Sequence, residues 1–371
     1  MRKVLTTFLI GISFMICGSE GVSAATITGT APIINTGIPL LDAALNQEIG
    51  GAFDNAISDA NDSIAKYSDQ RDLARGFGNA SVYSSQAATL QGFQNYSRIA
   101  VTTGVMLGVQ APSTDISYYD GIEDDIEANG DIHAGVGVGV SLLNVGFNAK
   151  SIRPNLYLNF MFGFFNIDPT DEISVSTTLI GVGVNYTLAK PKTSSFLFKW
   201  RGLSVGSGLI YHSSALTLAL ELDGFSESFL VNQSGNLIDG TINVDPSLFL
   251  ELKSKTLTIP LDITTAVQVL QLFNFTLGTG LDFNIGKTDI IVTADGDVEV
   301  NNINDPGNLV QSVTPGLVVV DGSTKGISPS FGRLRIMSGL GFNFGPVKLD
   351  LPARYYFGAG ASLGVTAGVV F

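Results

Sequence analysis

The chain has 371 residues, of which 45% are hydrophobic and only 14% charged, and its formal net charge is −13. An acidic chain gains nothing from a polyphosphate backbone, which excludes nucleic acid as a partner. So many apolar residues and so few charges conflict in a water-soluble domain, but they agree in a membrane barrel whose lipid-facing and lumen-facing residues alternate.

Residues 1–24 read as a cleavable export signal. Arg2 and Lys3 precede the apolar run Val4–Cys17, and Val22-Ser23-Ala24 offers a small-residue cleavage site before Ala25. The run is too short and wrongly flanked for a membrane helix. Ile16 stands before Cys17, where a lipoprotein signal wants a small residue, so an acylated cysteine is disfavoured. Cleavage after Ala24 removes the chain's one cysteine, and with it disulfides and thiol chemistry.

Residues 25–96 form an arm and a helical segment. Positions 25–37 carry no period and read as a mobile arm. From Pro39 to Tyr67 the pattern is helical: Leu41, Leu45, Ile49, Phe53 and Ile57 recur every four residues. Gly50-Gly51 weakens the middle by roughly 1 kcal/mol per glycine, so a break or bend is expected there. A second short helix fits Ser81–Leu90.

Residues 97–371 alternate with period two. Ten strands are expected: Ser97–Ala111, Ile132–Leu142, Leu156–Phe164, Ile173–Leu188, Phe196–Tyr211, Leu257–Val267, Phe273–Ile285, Leu334–Phe344, Val347–Phe357 and Ala359–Phe371. Each matches the ~9–11 residues that a tilted membrane strand needs. Shorter extended pieces such as Phe229–Val231, Asp289–Val300 and Gly316–Val320 set the range at about ten to fourteen strands. A phase slip at Leu142-Leu143 predicts a bulge. Tight connections (189–194, 269–272, 345–346) contrast with long ones (112–131, 212–256, 286–333), and the two kinds belong on opposite faces, the short ones periplasmic. The expected fold is therefore an all-β, antiparallel transmembrane barrel with an N-terminal helical plug, exported to a cell outer membrane. Outer-membrane lipid and lipopolysaccharide become its surroundings.

In the last strand the odd positions Ala359 to Phe371 are apolar and the even positions Gly358 to Gly368 are small. This strand resembles the terminal recognition strand of bacterial outer-membrane barrels. The resemblance implies contact with the barrel-assembly machinery through Phe371.

The layout of signal, helical segment and first strand resembles that of FadL-type transporters of hydrophobic substrates. In that family the helical segment is a hatch inside the lumen. The counterpart here is Pro39–Tyr96, including Gly76-Phe77-Gly78-Asn79-Ala80-Ser81-Val82-Tyr83. The Asn-Pro-Ala element of FadL hatches is absent, and no ligand residue carries over. Three further stretches, Gln91–Tyr96, Thr258–Asp262 and Gly345–Pro352, resemble spirochaete outer-membrane proteins, including the leptospiral surface adhesins. That resemblance implies binding of host extracellular-matrix or plasma proteins.

Chemistry is sparse. The two histidines, His133 and His212, stand at strand ends far apart in sequence, and no nucleophile, zinc or phosphate-loop spacing is present. Gly135-Val136-Gly137-Val138-Gly139 is a strand pattern, not a dinucleotide fingerprint. Neither an enzyme nor a cofactor is expected. The loop 112–131 holds seven carboxylates and no basic residue, which fits a solvated surface better than the ordered spacing of a calcium loop.

Inward-facing charge is more informative. Arg333, Arg335, Lys348 and Arg354 fall on lumen positions, whereas the helical segment carries Asp54, Asp59 and Asp62. These are the expected contacts of a plug docked on a basic wall, with internal pairing or hydration as the alternative. Pro260 and Pro352 interrupt strands and predict bulges or rim positions, or a lateral opening. Two functions follow: passage of small hydrophobic or amphiphilic molecules past a plug, or adhesion through surface loops.

Overall fold

The computed structural model describes residues 21–65, 70–89, 96–114, 133–193, 197–221, 225–233, 236–305 and 307–371. The loop carboxylates from Asp115 to Asp131 lie outside them. In chain order the first elements are β1 (Gly21–Thr30), β2 (Ile33–Asn35), helix α1 (Pro39–Ala65) and helix α2 (Arg71–Ser84). Next come β3 (Ile99–Gln110), β4 (Gly135–Asn148), β5 (Leu156–Thr170), β6 (Ile173–Ala189), β7 (Lys192–Thr193) and β8 (Phe198–Glu221). Then follow β9 (Phe225–Gln233), β10 (Asn236–Val269), β11 (Phe273–Asn304), β12 (Ser312–Thr314) and β13 (Gly316–Ile327). The chain ends with β14 (Gly332–Phe344), β15 (Val347–Tyr356) and β16 (Gly360–Val370).

Pairing runs β11-β14-β15-β16-β3-β4-β5-β6-β8-β10, and β10 pairs again with β11, which closes a ring of ten antiparallel strands. The ring sits at the low end of the expected range because β10 and β11 are long rather than numerous. β14 pairs with Phe273–Phe283 of β11, and β13 pairs with Thr288–Val298 of the same strand. β10 and β11 therefore run through the ring and continue beyond it. There β9, β13 and β1 flank them in an open extension of the same sheet.

The sequence of β11 marks where membrane ends. Its outward positions read Phe273, Phe275, Leu277, Thr279, Leu281, Phe283 and Ile285, then Lys287, Asp289 and, further on, Asp295, Asp297 and Glu299. β10 makes the same change between Leu257 and Lys255. Around the ring, Phe160, Phe162, Ile180, Val182, Ile336, Leu340, Leu363 and Val365 are all exposed. Water would oppose so large a contiguous apolar belt, whereas hydrocarbon covers it at no cost.

The chain termini of the ring meet at the short-turn end. The Arg98 amide donates to the Phe371 carbonyl (2.8 Å), and the Phe371 amide to the Ile99 carbonyl (2.8 Å). The connections 149–155, 270–272 and 345–346 lie there too, as do residues 190–193 and Leu197. The extended sheet lies at the other end, together with the described residues 111–114 and 133–134 and two tight turns, Asp171-Glu172 and Phe357–Ala359. The bulge falls where the phase slips: Thr102 faces Asn144 and Gly104 faces Ser141, leaving Leu142-Leu143 opposite Thr103.

Two expectations are corrected here. Positions 25–37 are not an arm: β1 pairs with β13, and β2 with β12. An edge strand needs backbone pairing, not an alternating pattern. The β1 register shifts between Ser23 and Thr26, so Thr26–Thr30 keep an unbroken ladder beyond the expected cleavage point. Nor does Gly50-Gly51 break α1, which is one helix from Pro39 to Ala65. Leu41, Leu45, Ile49 and Phe53 are buried against Phe229, Ile238, Ile242, Val298 and Val318 of the extended sheet. That burial outweighs the intrinsic cost of two glycines.

The lumen and its plug: a candidate functional site

Helix α2 lies inside the ring, and nearly every residue from Gly76 to Ala88 is buried. A ring of ten strands is only slightly wider than one that side chains alone would fill. A helix fits only where both surfaces are small. On the helix side these are Gly76, Gly78, Ala80, Ser81, Ser84 and Ser85. On the wall they are the inward glycines of β3 and β4. A Cβ at Gly137 would sit 2.6 Å from the Ala80 carbonyl, and one at Gly135 would sit 2.5 Å from the Phe77 Cα. At Gly108 it would meet the Ser84 nitrogen at 2.9 Å. The glycine alternation is thus the seat of the helix.

Polar contacts fix the helix along its length. At the loop-side end the Ser330 amide donates to Asn79 Oδ1 (2.8 Å), and Asn79 Nδ2 lies 3.3 Å from His133 Nε2. Tyr83 donates to Gln110 Oε1 (2.8 Å) and stacks on Tyr356 with ring centroids 3.9 Å apart. Ser81 Oγ bonds His212 Nδ1 (2.9 Å), whose Nε2 bonds Thr177 Oγ1 (2.8 Å). Lower down, Asn144 and Thr102 donate to the Ala88 carbonyl (2.6 and 3.1 Å). Tyr96 then packs on Tyr157 and Ala100 near the short-turn end. The described residues 70–89 thus cross the lumen from the loop side, and Tyr96 stands at the short-turn end just before β3.

The wall is charged as well as lined with glycine. Fully buried Arg335 pairs with Asp282 and Asp262 and lies over the Tyr356 ring. Gln86 of the plug donates to Asp282 (3.3 Å). Arg354 donates to Thr89 Oγ1 (2.8 Å) and to the Gln86 carbonyl (3.4 Å). Among the expected contact residues, Arg335 and Arg354 therefore line the plug chamber. Arg333 instead bonds the Phe357 carbonyl and Ser330, and Lys348 bonds the Gly345 carbonyl at a short turn.

Asp54 is exposed on α1, which packs on the extended sheet and not in the lumen. Asp59 and Asp62 lie on the same helix, and their side chains are outside the described residues. The structure does not bring the Asp54 carboxylate to the basic wall. An amphipathic helix has one apolar face to bury and a charged face that stays wet, which suits a sheet surface and not a closed lumen. Asp262 and Asp282 were not anticipated as the partners of Arg335. Their inward parity on β10 and β11 was the available signal.

Neither proline is at a bulge or rim. Between β10 and β8 the ladder skips Ile259-Pro260 without changing register, and between β15 and β16 it skips Leu351-Pro352 in the same way. Proline lacks the N–H for one neighbour yet leaves the other ladder intact. Beside Pro260 a small lumen chamber of ≈ 60 Å³ borders Tyr96, Tyr157 and Gln86. Across the wall an outward groove of ≈ 540 Å³ lies between Val205, Ile263 and Leu281. Ser207 and Asp262 line both.

A closed antiparallel ring with an exposed apolar belt, short turns at one end and a helix inside defines an integral outer-membrane β-barrel. The chain belongs to the Lsa36-like family, whose model matches residues 24–371. This agrees with the resemblance to leptospiral surface proteins. No curated protein matches the chain in sequence. Among solved structures, similarity is found to the CymD monoaromatic hydrocarbon channel (9% identity, 80% of this chain and 98% of that one, TM-score 0.26). The translocator domain of the autotransporter NalP from Neisseria meningitidis is similar at 9% identity (75% and 90%, TM-score 0.27). A Pseudomonas aeruginosa FadL homologue is similar at 8% (80% and 98%, TM-score 0.25). At these TM-scores none of the three bears on function.

Proposed function

We propose that the barrel is a sealed anchor and that its extended sheet binds a macromolecular partner outside the membrane. One observation carries this reading: a helix hydrogen-bonded to the wall along its length fills the lumen, while β10 and β11 continue past the membrane to build a sheet with its own core. The outward row Asp295, Asp297 and Glu299, with Asp321 on β13, gives that sheet an acidic exposed face. Its complement is a basic protein surface, and host extracellular-matrix proteins are the class to try. Replacing Asp295, Asp297 and Glu299 by Asn, Asn and Gln lowers affinity for an immobilised basic matrix protein about tenfold, chiefly through the association rate. Unchanged binding rejects this face.

A second reading, passage of small hydrophobic molecules through the side of the wall, is supported by the skipped ladder at Pro260 and by Ser207 and Asp262 bordering both cavities. It predicts uptake of apolar solutes into liposomes carrying the protein. A Gly206→Phe variant would block that uptake, and equal uptake by the variant and the original chain would reject the side route.

A further inference from the structure

The boundary between apolar belt and acidic sheet is not a simple change of polarity, because a basic band lies between them. In successive rows across three strands, Tyr211, Leu257 and Ile285 align first, and Ser213, Lys255 and Lys287 align two residues further out. Lys255 and Lys287 are both exposed and stand directly opposite each other. Like charges in that position destabilise a sheet. The next row holds Lys253 opposite Asp289. Lys253 Nζ also reaches Glu251 Oε1 at 2.6 Å. Of these, Tyr211, Leu257 and Ile285 line the membrane side of an outward groove of ≈ 550 Å³, and Lys253, Lys255 and Lys287 line its outer side with a single carboxylate, Asp289.

We propose that this groove binds a lipid of the loop-side leaflet that carries more than one phosphate charge. The apolar row takes the first part of an acyl chain. The facing ammonium groups of Lys255 and Lys287, flanked by Lys253, take the phosphates. A phosphate between the two lysines turns their repulsion into attraction, and the position at the end of the apolar belt puts it at headgroup depth. The inference depends on the membrane placement alone and is independent of what the extended sheet binds.

The test uses the purified full chain in neutral detergent, with diphosphoryl lipid A, phosphatidylglycerol and phosphatidylcholine as probes and native mass spectrometry as readout. Diphosphoryl lipid A should be retained in preference to phosphatidylcholine. Basic residues near an anionic headgroup contribute about fivefold each, so Lys255→Gln with Lys287→Gln should weaken retention roughly 25-fold. Lys255→Arg with Lys287→Arg should preserve it, and Lys150→Gln at a short turn should leave it unchanged. Heat-modified gel mobility shows that each variant is folded. If the glutamine pair does not fold, the salt dependence of lipid A retention by the original chain decides, and a flat response overturns the site. Equal retention of lipid A and phosphatidylcholine, no effect of the glutamine pair, or displacement by millimolar inorganic phosphate would each overturn it.

Discussion

The two helices of this chain are opposites in sequence and in place. Helix α1 is long, carries charges, and has an apolar stripe that recurs every four residues. It lies outside the membrane on the extended sheet, with its stripe down and Asp54 exposed. Helix α2 is short and dominated near its core by glycine, alanine and serine. From Gly76 to Ser84 it is buried on every side inside the ring. An amphipathic stripe specifies a surface to lie on, whereas small residues all round specify a space to fill. The four-residue apolar stripe thus belongs to the helix that does not plug the barrel.

The difference can be broken most strongly at the lumen wall. Asp282→Ala leaves Arg335 buried with half its partners and should cost about 3–5 kcal/mol. The loss should appear as a lower urea midpoint for the heat-modifiable barrel. Leu45→Ala removes a buried side chain under α1 and should cost about 2–5 kcal/mol. Here the loss should be confined to the extended sheet, read as faster amide exchange in β9 and upper β10 with the barrel's heat modifiability unchanged. Equal damage to both regions would show that they fold as one unit.

A milder change sharpens the contrast at the seat itself. Gly137→Val pushes a side chain into the Ala80 carbonyl and should cost about 1–3 kcal/mol. Planar-bilayer recordings should then show conductance that the original chain lacks, because the helix no longer lies flat on β4. A barrel that stays closed would mean that the wall, and not the helix, seals it.

The smallest effect is one of pH. Burial pushes the His133 imidazole below its ordinary value near 6.5, with Asp72 opposing the shift. A histidine held neutral in the folded state contributes stability that is complete above the unfolded value and is lost as pH falls toward the lowered folded one. Acidification from neutral pH should therefore loosen the contact between Asn79 and His133. Faster exchange at the start of α2 would report it, and His133→Gln should abolish the dependence.

Most of the ring was legible because alternation is a local consequence of having lipid on one side and a crowded lumen on the other. The bulge at Leu142-Leu143 was legible for the same reason, since a slip in phase must put two residues against one. The reach of β10 and β11 was harder to see. Their alternation continues past Ile285 and Leu257, but the outward residues change from apolar to charged, so each strand looked finished at the membrane edge. The plug was misplaced within its segment because the acidic residues of α1 drew attention to charge. The decisive match was between glycines on β3 and β4 and small residues on α2, elements that meet only once the ring is closed. Pairs such as Arg335 with Asp262 and Asp282 likewise depend on a register that no single strand reveals.

Threading is the central claim: residues 21–65 lie at the loop end of the barrel, and the chain continues from the short-turn end at Arg98. Leu40 and Leu270 are both exposed, at opposite ends. In a Cys17→Ala background, single-cysteine variants Leu40→Cys and Leu270→Cys can be probed on intact cells with a membrane-impermeant maleimide. Threading predicts that Leu40→Cys is labelled at once and Leu270→Cys only after the outer membrane is opened. Labelling of both positions from the same side would contradict it.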